Sequence, residues 1–164
     1  MPMTQAERRS LIDRYAEGPE RLRAAIESVP EEARKWRPAA GKWSAHEIVC
    51  HCADAETVAA VRIRYVLCES DPLIEAYDQD RWSRELGYHD AALPPCLEVV
   101  RAVRAHTTAL LRRLPDDAWS RKGRHSESGP YGAEDWLRIY AEHVHKHSAQ
   151  IERNLAAWRT VSRS

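Results

Sequence analysis

The chain has no phenylalanine among its 164 residues and no excess of either charge. Lys plus Arg number 25 and Asp plus Glu number 25, so the formal net charge is zero. That balance argues against a nucleic-acid binder, which carries a basic excess or stripe. A targeting signal is missing as well. Met1 to Ser10 is polar and charged, without the apolar core of a secretory leader. No apolar run approaches the roughly 20 residues of a membrane span, so the expectation is a cytoplasmic protein with no membrane partner. Alternating β-branched runs bounded by hairpin turns are nearly absent, which argues against a β-rich fold. Repeats, low-complexity tracts and long linkers are absent too. The missing Phe goes with abundant Ala and with Arg in place of Lys, a GC-rich, bacterial coding bias that carries no functional information.

What is present suffices for one hydrophobic core, and a single domain over residues 1–164 is expected. A domain of this size buries about 70% of the surface its unfolded chain exposes, so it needs no disulfides. Cys50, Cys52, Cys68 and Cys96 fit as free thiols, small core residues. Cys50-His51-Cys52 looks like a metal motif, but on a helix the two cysteines point about 200° apart and cannot share one ion with His51.

Apolar periodicity and Pro/Gly punctuation divide the chain into four long helices, an all-α four-helix bundle. The first runs from about Thr4 to Val29 with Leu11, Ile12, Tyr15, Leu22, Ile26 and Val29 as its apolar face, and Gly18-Pro19 is expected to kink or split it. The second starts at a capping box, Ser44 with Glu47, and continues to about Glu69 before Asp71-Pro72. A short helix within Tyr77 to Leu86 lies in a long connection, which suggests a crossover between the second and third helices. The third helix starts within Asp90 to Pro95 and ends near Leu114. Ser120 to Gly132 reads as loop, in which Ser126 to Tyr131 either lines a pocket or is plain surface. The fourth helix runs from about Ala133 to Thr160.

The fourth helix is the most informative. Trp136, Tyr140, His143, His147, Ile151, Asn154 and Trp158 recur at steps of three and four and form one stripe. His143 and His147 are one turn apart on the same face, a spacing that lets two imidazoles bind one metal. His145 lies about 200° away and is expected to face solvent. Such a site needs a third ligand from another helix, and His51 is the best candidate because Ile48, His51, Ala55 and Val58 share a side. His46 reads as a first-turn surface residue; His89, His106 and His125 lie in loops or on weaker patterns. A core or half-buried role, without metal, is the alternative for each histidine. Glu47, one turn before His51, is read either as an acceptor for that ring or simply as the capping residue. Gln150 is placed to hydrogen-bond a ligand or to satisfy a neighbouring helix. Glu142 points away from the stripe. Trp36, Trp119, Trp136 and Trp158 read as packing, whereas Trp43 and Trp82 lie in connections near the expected site mouth and are candidates for substrate contact.

Three segments resemble a known family. Gly41-Lys42-Trp43-Ser44, followed by His51, Ala53, Asp54 and Glu56, is similar to a turn that leads into a helix with one ligand histidine. Tyr77-Asp78-Gln79-Asp80-Arg81-Trp82 resembles the mid-chain segment of the same family. His143, His147, Gln150 and Ile151 resemble its closing helix with two ligand histidines. In this order they cover nearly the whole chain and resemble the DinB/YfiT-like superfamily of metal-binding four-helix bundles. The resemblance implies up-down-down-up connectivity and a divalent ion, zinc or nickel, on His51, His143 and His147. Many members are dimers, and the sequence neither supports nor excludes a homodimer. Some members are S-transferases that use a low-molecular-weight thiol such as bacillithiol or mycothiol, and others are metal-dependent hydrolases, both acting on small molecules. A zinc with an open position suits either, since it can make hydroxide from bound water or bind a thiolate. A third reading is a stress-associated metal-binding or interaction protein without turnover. The thiol-dependent transferase is favoured, on the resemblance alone.

Overall fold

The computed structural model describes residues 2–163 and is mostly helical. The elements are α1 (Gln5–Glu27), α2 (Glu31–Arg34), α3 (Ala45–Cys68), β1 (Leu73–Ile74), α4 (Gln79–Glu85), α5 (Leu93–Leu111), β2 (Lys122–His125), β3 (Gly129–Gly132) and α6 (Ala133–Val161). Helices α1, α3, α5 and α6 form a four-helix bundle. Helix α1 packs on α6 and α5, and α3 packs on the same two. No helix of the described residues is long and apolar enough to cross a membrane.

The expected break at Gly18-Pro19 does not form, and α1 runs through it as one helix. Pro19 has no N–H for the carbonyl of Tyr15, four residues back. Arg104 of α5 supplies the missing donor: its Nη1 lies 2.6 Å from Tyr15 O. Gly18 makes room for this arm, since a Cβ there would stand 2.3 Å from Arg104 Nη1. A break signal in sequence is thus a docking notch in the fold.

The apolar core falls into two clusters. One gathers Ile12, Tyr15, Ala59, Ile63, Leu111 and Trp136 with their neighbours. The other gathers Leu22, Ile26, Ile48, Val100, Val144 and Ile151. Along each long helix the change from one cluster to the other comes at Gly18, Glu56, Arg104 or His143, so a polar layer crosses the bundle between them.

A small three-stranded sheet closes one end, and here the all-α expectation and the Ser120 to Gly132 loop need correcting. β1 pairs with β2 in parallel, Leu73 opposite Arg124, and β2 pairs with β3 as an antiparallel hairpin, Gly123 opposite Tyr131. These strands lack alternating β-branched residues; Ile74 and Tyr131 pack into the core, and close backbone approach shapes the rest. A Cβ on Gly123 would lie 2.5 Å from Pro72 O, and Gly129 takes φ +77° in the turn. Ser126 is a tie within this sheet, its N–H donating to Ile74 O and its hydroxyl accepting from Ala76 N–H.

Candidate metal centre

The Ser44 cap fixes where α3 begins. Ser44 Oγ accepts from the Glu47 N–H at 3.2 Å, and Glu47 Oε2 accepts from the Ser44 N–H at 2.9 Å. His51 then falls in the second turn, on the buried side with Ile48 and Ala55, and is 1% exposed. On α6, His143 and His147 flank the buried face of Tyr140, Val144 and Ile151 and are half-buried. The pair therefore sits at the edge of the core stripe, where a ligand can reach it, and not in the middle of it.

The three rings converge. Ring centroids are 5.5 Å apart for His51 and His143, 4.7 Å for His51 and His147, and 4.7 Å for His143 and His147. One ring nitrogen from each lies within 4.8 Å of the other two, a group able to hold a metal ion. Outer contacts orient two of the rings. His143 Nδ1 donates to Glu56 Oε1 at 3.2 Å, and His147 Nδ1 donates to Gln150 Oε1 at 3.0 Å. With Nδ1 carrying the proton, Nε2 of each is a free donor for a metal. His51 differs from both: its two ring nitrogens are buried and neither has a hydrogen-bond partner. Unmatched buried polar atoms cost about 1–3 kcal/mol each, so this ring fits a ligand from outside the protein. Three imidazoles suit zinc or nickel, and the donor set passes that test.

The electrostatics agree. Burial, reinforced by the neighbouring His147 and His143, pushes His51 down to about 2. Burial and His143 bring His147 down to about 4, against a small opposing effect of Gln150. Both rings are neutral near pH 7, the form that binds metal. Behind them, Glu56 and Arg104 are fully buried and joined at 2.8 Å. Burial alone would raise the Glu56 carboxyl, but Arg104 and the bonds from His143 and Arg104 hold it well below its ordinary value. Arg104 Nη2 also donates to Tyr140 O at 2.8 Å, and its guanidinium lies 4.1 Å over the Tyr15 ring.

Several sequence expectations change. Glu47 does not hold His51; its carboxylate is taken by Ser44 and by Arg37, whose Nε donates to Oε2 at 2.9 Å. His46 is buried, not on the surface, with Nε2 2.8 Å from Ala91 O. His145 is half-buried and ties Nε2 to Arg14 O at 2.8 Å. Trp43 packs against His51 with ring centroids 4.6 Å apart, and its carbonyl accepts from Asn154 Nδ2. Trp82 packs on Tyr77, ring centroids 4.3 Å apart, and is not among the described residues in ring contact with the three histidines. As the helix geometry predicts, Cys50 and Cys52 do not converge on His51: Cys50 lies against Cys96, Sγ to Sγ 3.8 Å, and neither cysteine belongs to the histidine group. Sequence reasoning missed the Glu56–Arg104 support. Its signal was a single charge inside an apolar stripe on each of two helices, Cys52-Glu56-Ala59-Ile63 and Val100-Arg104-Thr107-Leu111.

Fold and site together define a four-helix bundle with three converging histidines able to hold a metal. The chain belongs to the DinB superfamily, which it matches over residues 14–151. A protein of Oceanobacillus iheyensis, provisionally named a metal-dependent hydrolase, is 30% identical over 111 residues, 68% of this chain and 64% of its own length. YfiT of Bacillus subtilis, named in the same provisional way, is 29% identical over 136 residues, 82% of this chain and 76% of its own. The solved YfiT structure, described as an unusual four-helix bundle, superposes with a TM-score of 0.87 at 26% identity, covering 93% of this chain and 87% of that one. A mycothiol-dependent maleylpyruvate isomerase shares the fold, with a TM-score of 0.70 at 12% identity over 88% of this chain and 60% of its own.

Proposed function

We propose that His51, His143 and His147 bind one divalent ion, zinc or nickel, and that the protein transfers a low-molecular-weight thiol to a small electrophilic substrate. The observation that carries this reading is His51, whose two buried nitrogens have no protein partner and which stands against two imidazoles with free Nε2 atoms. A divalent ion there would be held by His51, His143 and His147 and would supply a Lewis acid able to lower the pKa of a thiol or water.

The surrounding side chains favour the thiol. A thiol needs no protein base once its proton is labile, whereas attack by water gains from a free carboxylate or imidazole nearby. The acids near the triad are engaged: Glu56 with Arg104 and His143, Glu47 with Arg37 and Ser44, Asp54 with the Tyr88 hydroxyl at 2.5 Å. Glu56 holds the His143 ring and Gln150 the His147 ring. Trp43 packs against His51, which is buried. A hydrolase is the second reading, supported by the provisional names of the relatives.

The cobalt-substituted protein separates the two. Saturable perturbation of its visible spectrum by small thiols, with no turnover of ester and amide panels, supports transfer. Metal-dependent hydrolysis abolished by His147→Ala, with a spectrum unmoved by thiols, rejects it in favour of the hydrolase.

The same reading extends to one DinB-like domain over residues 1–164 with up-down-down-up connectivity. Contacts between α1 and α6 support it, rising together in number from Met3–Glu134 through Arg14–Glu142 to Arg21–Glu152. Those between α3 and α6 run oppositely, from Ala59–Trp136 to Glu56–His143. The α4 segment is then the crossover.

A further inference from the structure

Arg62 stands on α3 eleven residues after His51, about three turns along the same face. It is half-buried, and among the described residues it has no carboxylate partner. Its guanidinium is nevertheless held in place. Nη1 donates to the Tyr140 hydroxyl at 3.2 Å, Nη2 donates to the Glu75 carbonyl, and Cζ lies 5.6 Å over the Tyr77 ring. Tyr140 in turn rests against His143, ring centroids 5.6 Å apart. One side chain therefore separates an unpaired, positioned cation from the metal triad.

Such a cation usually finds an acid, and two acids on the same helix are already taken. Glu56 is bound by Arg104 and His143, and Asp54 by Tyr88. Glu75 offers Arg62 its backbone carbonyl only. A guanidinium has five N–H donors, so two occupied directions leave others for an incoming acceptor. The Tyr140 hydroxyl accepts from Arg62 and keeps its own proton to donate.

We infer that Arg62, with the Tyr140 hydroxyl, binds the carboxylate of a small molecule whose other end reacts at the His51–His143–His147 centre. A planar carboxylate matches the fork of a guanidinium, with charge-assisted hydrogen bonds. Because Tyr140 lies between the two points, the carboxylate and the reacting atom are at opposite ends of an extended molecule. This deepens the proposed thiol transfer and rests on it for what reacts; the contact at Arg62 is independent of it. The carboxylate belongs either to the thiol or to its electrophilic partner.

Two measurements test this on the full chain. The first follows the Arg62 Nε–Hε resonance in metal-free protein, assigned by its loss in Arg62→Lys. Hexanoate should shift it saturably and hexan-1-ol should not; a resonance unmoved by hexanoate overturns the inference and leaves Arg62 a strut between α3, α6 and the chain at Glu75. The second compares 6-mercaptohexanoate with 6-mercaptohexan-1-ol on the cobalt-substituted protein. A preference of about tenfold for the charged thiol, lost in Arg62→Gln, assigns the carboxylate to the thiol. Equal affinities, with hexanoate still shifting Arg62 while mercaptohexanol is bound, assign it to the electrophile. If neither thiol perturbs cobalt, the thiol reading fails, and the resonance still decides the case of Arg62.

Discussion

The Glu56–Arg104 layer and the His51 pocket lie in the same core, and both hold polar groups that water barely reaches. In the layer the two charges are paired within the chain, although Glu56 Oε2, Arg104 Nε and the Tyr15 hydroxyl are buried there without a hydrogen-bond partner. Arg104 reaches Glu56, Tyr15 O and Tyr140 O, and Glu56 reaches His143. In the pocket, His51 has neighbours on every side and a hydrogen bond to none of them. The buried charges each have a protein partner for at least one polar atom; the His51 ring has a partner for neither nitrogen. The first region stabilises the fold, and the second gives up stability so that binding can restore it.

The largest effect should come from breaking the closed region. Arg104→Met strips Glu56 of its cation and Tyr15 O of its donor, and should cost about 3–5 kcal/mol in urea unfolding of the metal-free protein. A loss below about 1 kcal/mol would mean that the layer is not a coupled network. Acid sharpens the contrast next. The unfolded chain protonates histidine near 6.5, whereas folded His51 resists until about 2 and His147 until about 4. Unfolding below pH 6.5 therefore takes up protons, and the metal-free protein should lose about 1.4 kcal/mol per pH unit for each such ring as pH falls, with full stability above 6.5. Flat stability between pH 7 and 5 would contradict the burial of these imidazoles.

Gly18→Ala probes the notch from the other side. The new Cβ must push Arg104 off Tyr15 O, and about 1–3 kcal/mol of crowding outweighs the roughly 1 kcal/mol that Ala adds to a helix, so the thermal midpoint should fall. The smallest change in fold stability is expected in the open region. His51→Leu removes two unmatched nitrogens and should leave metal-free stability within about 1 kcal/mol of the parent, or raise it, while metal uptake is lost. A strong destabilisation would reveal a protein partner for His51.

The bundle was legible because apolar periodicity and the Ser44–Glu47 box state the helices locally. The histidine set was legible for the same reason: i, i+4 spacing brings His143 and His147 together, and the apolar side of α3 carries His51. What escaped depends on contacts between helices. Pro19 signals a break in any local reading, and only Arg104, far along the chain, restores the lost hydrogen bond. Glu47 had two available roles, and Arg37, outside the helix, decides between them. The β2–β3 hairpin has a single strand-favouring residue, Tyr131, to announce it, and Pro72 and two glycines shape it by close approach and turn geometry. Superfamily resemblance pointed to the three converging histidines, but neither it nor the stripe singled out Arg62, which is visible only where Tyr140 and Tyr77 meet it.

The most direct test of the central claim is metal content per chain in protein prepared without a histidine tag and titrated with zinc after chelation, beside His51→Ala. The account predicts one ion per chain in the parent and loss of that ion in the variant, with the fold of both intact by circular dichroism. A parent that takes up no metal, or a variant that binds as the parent does, would contradict it.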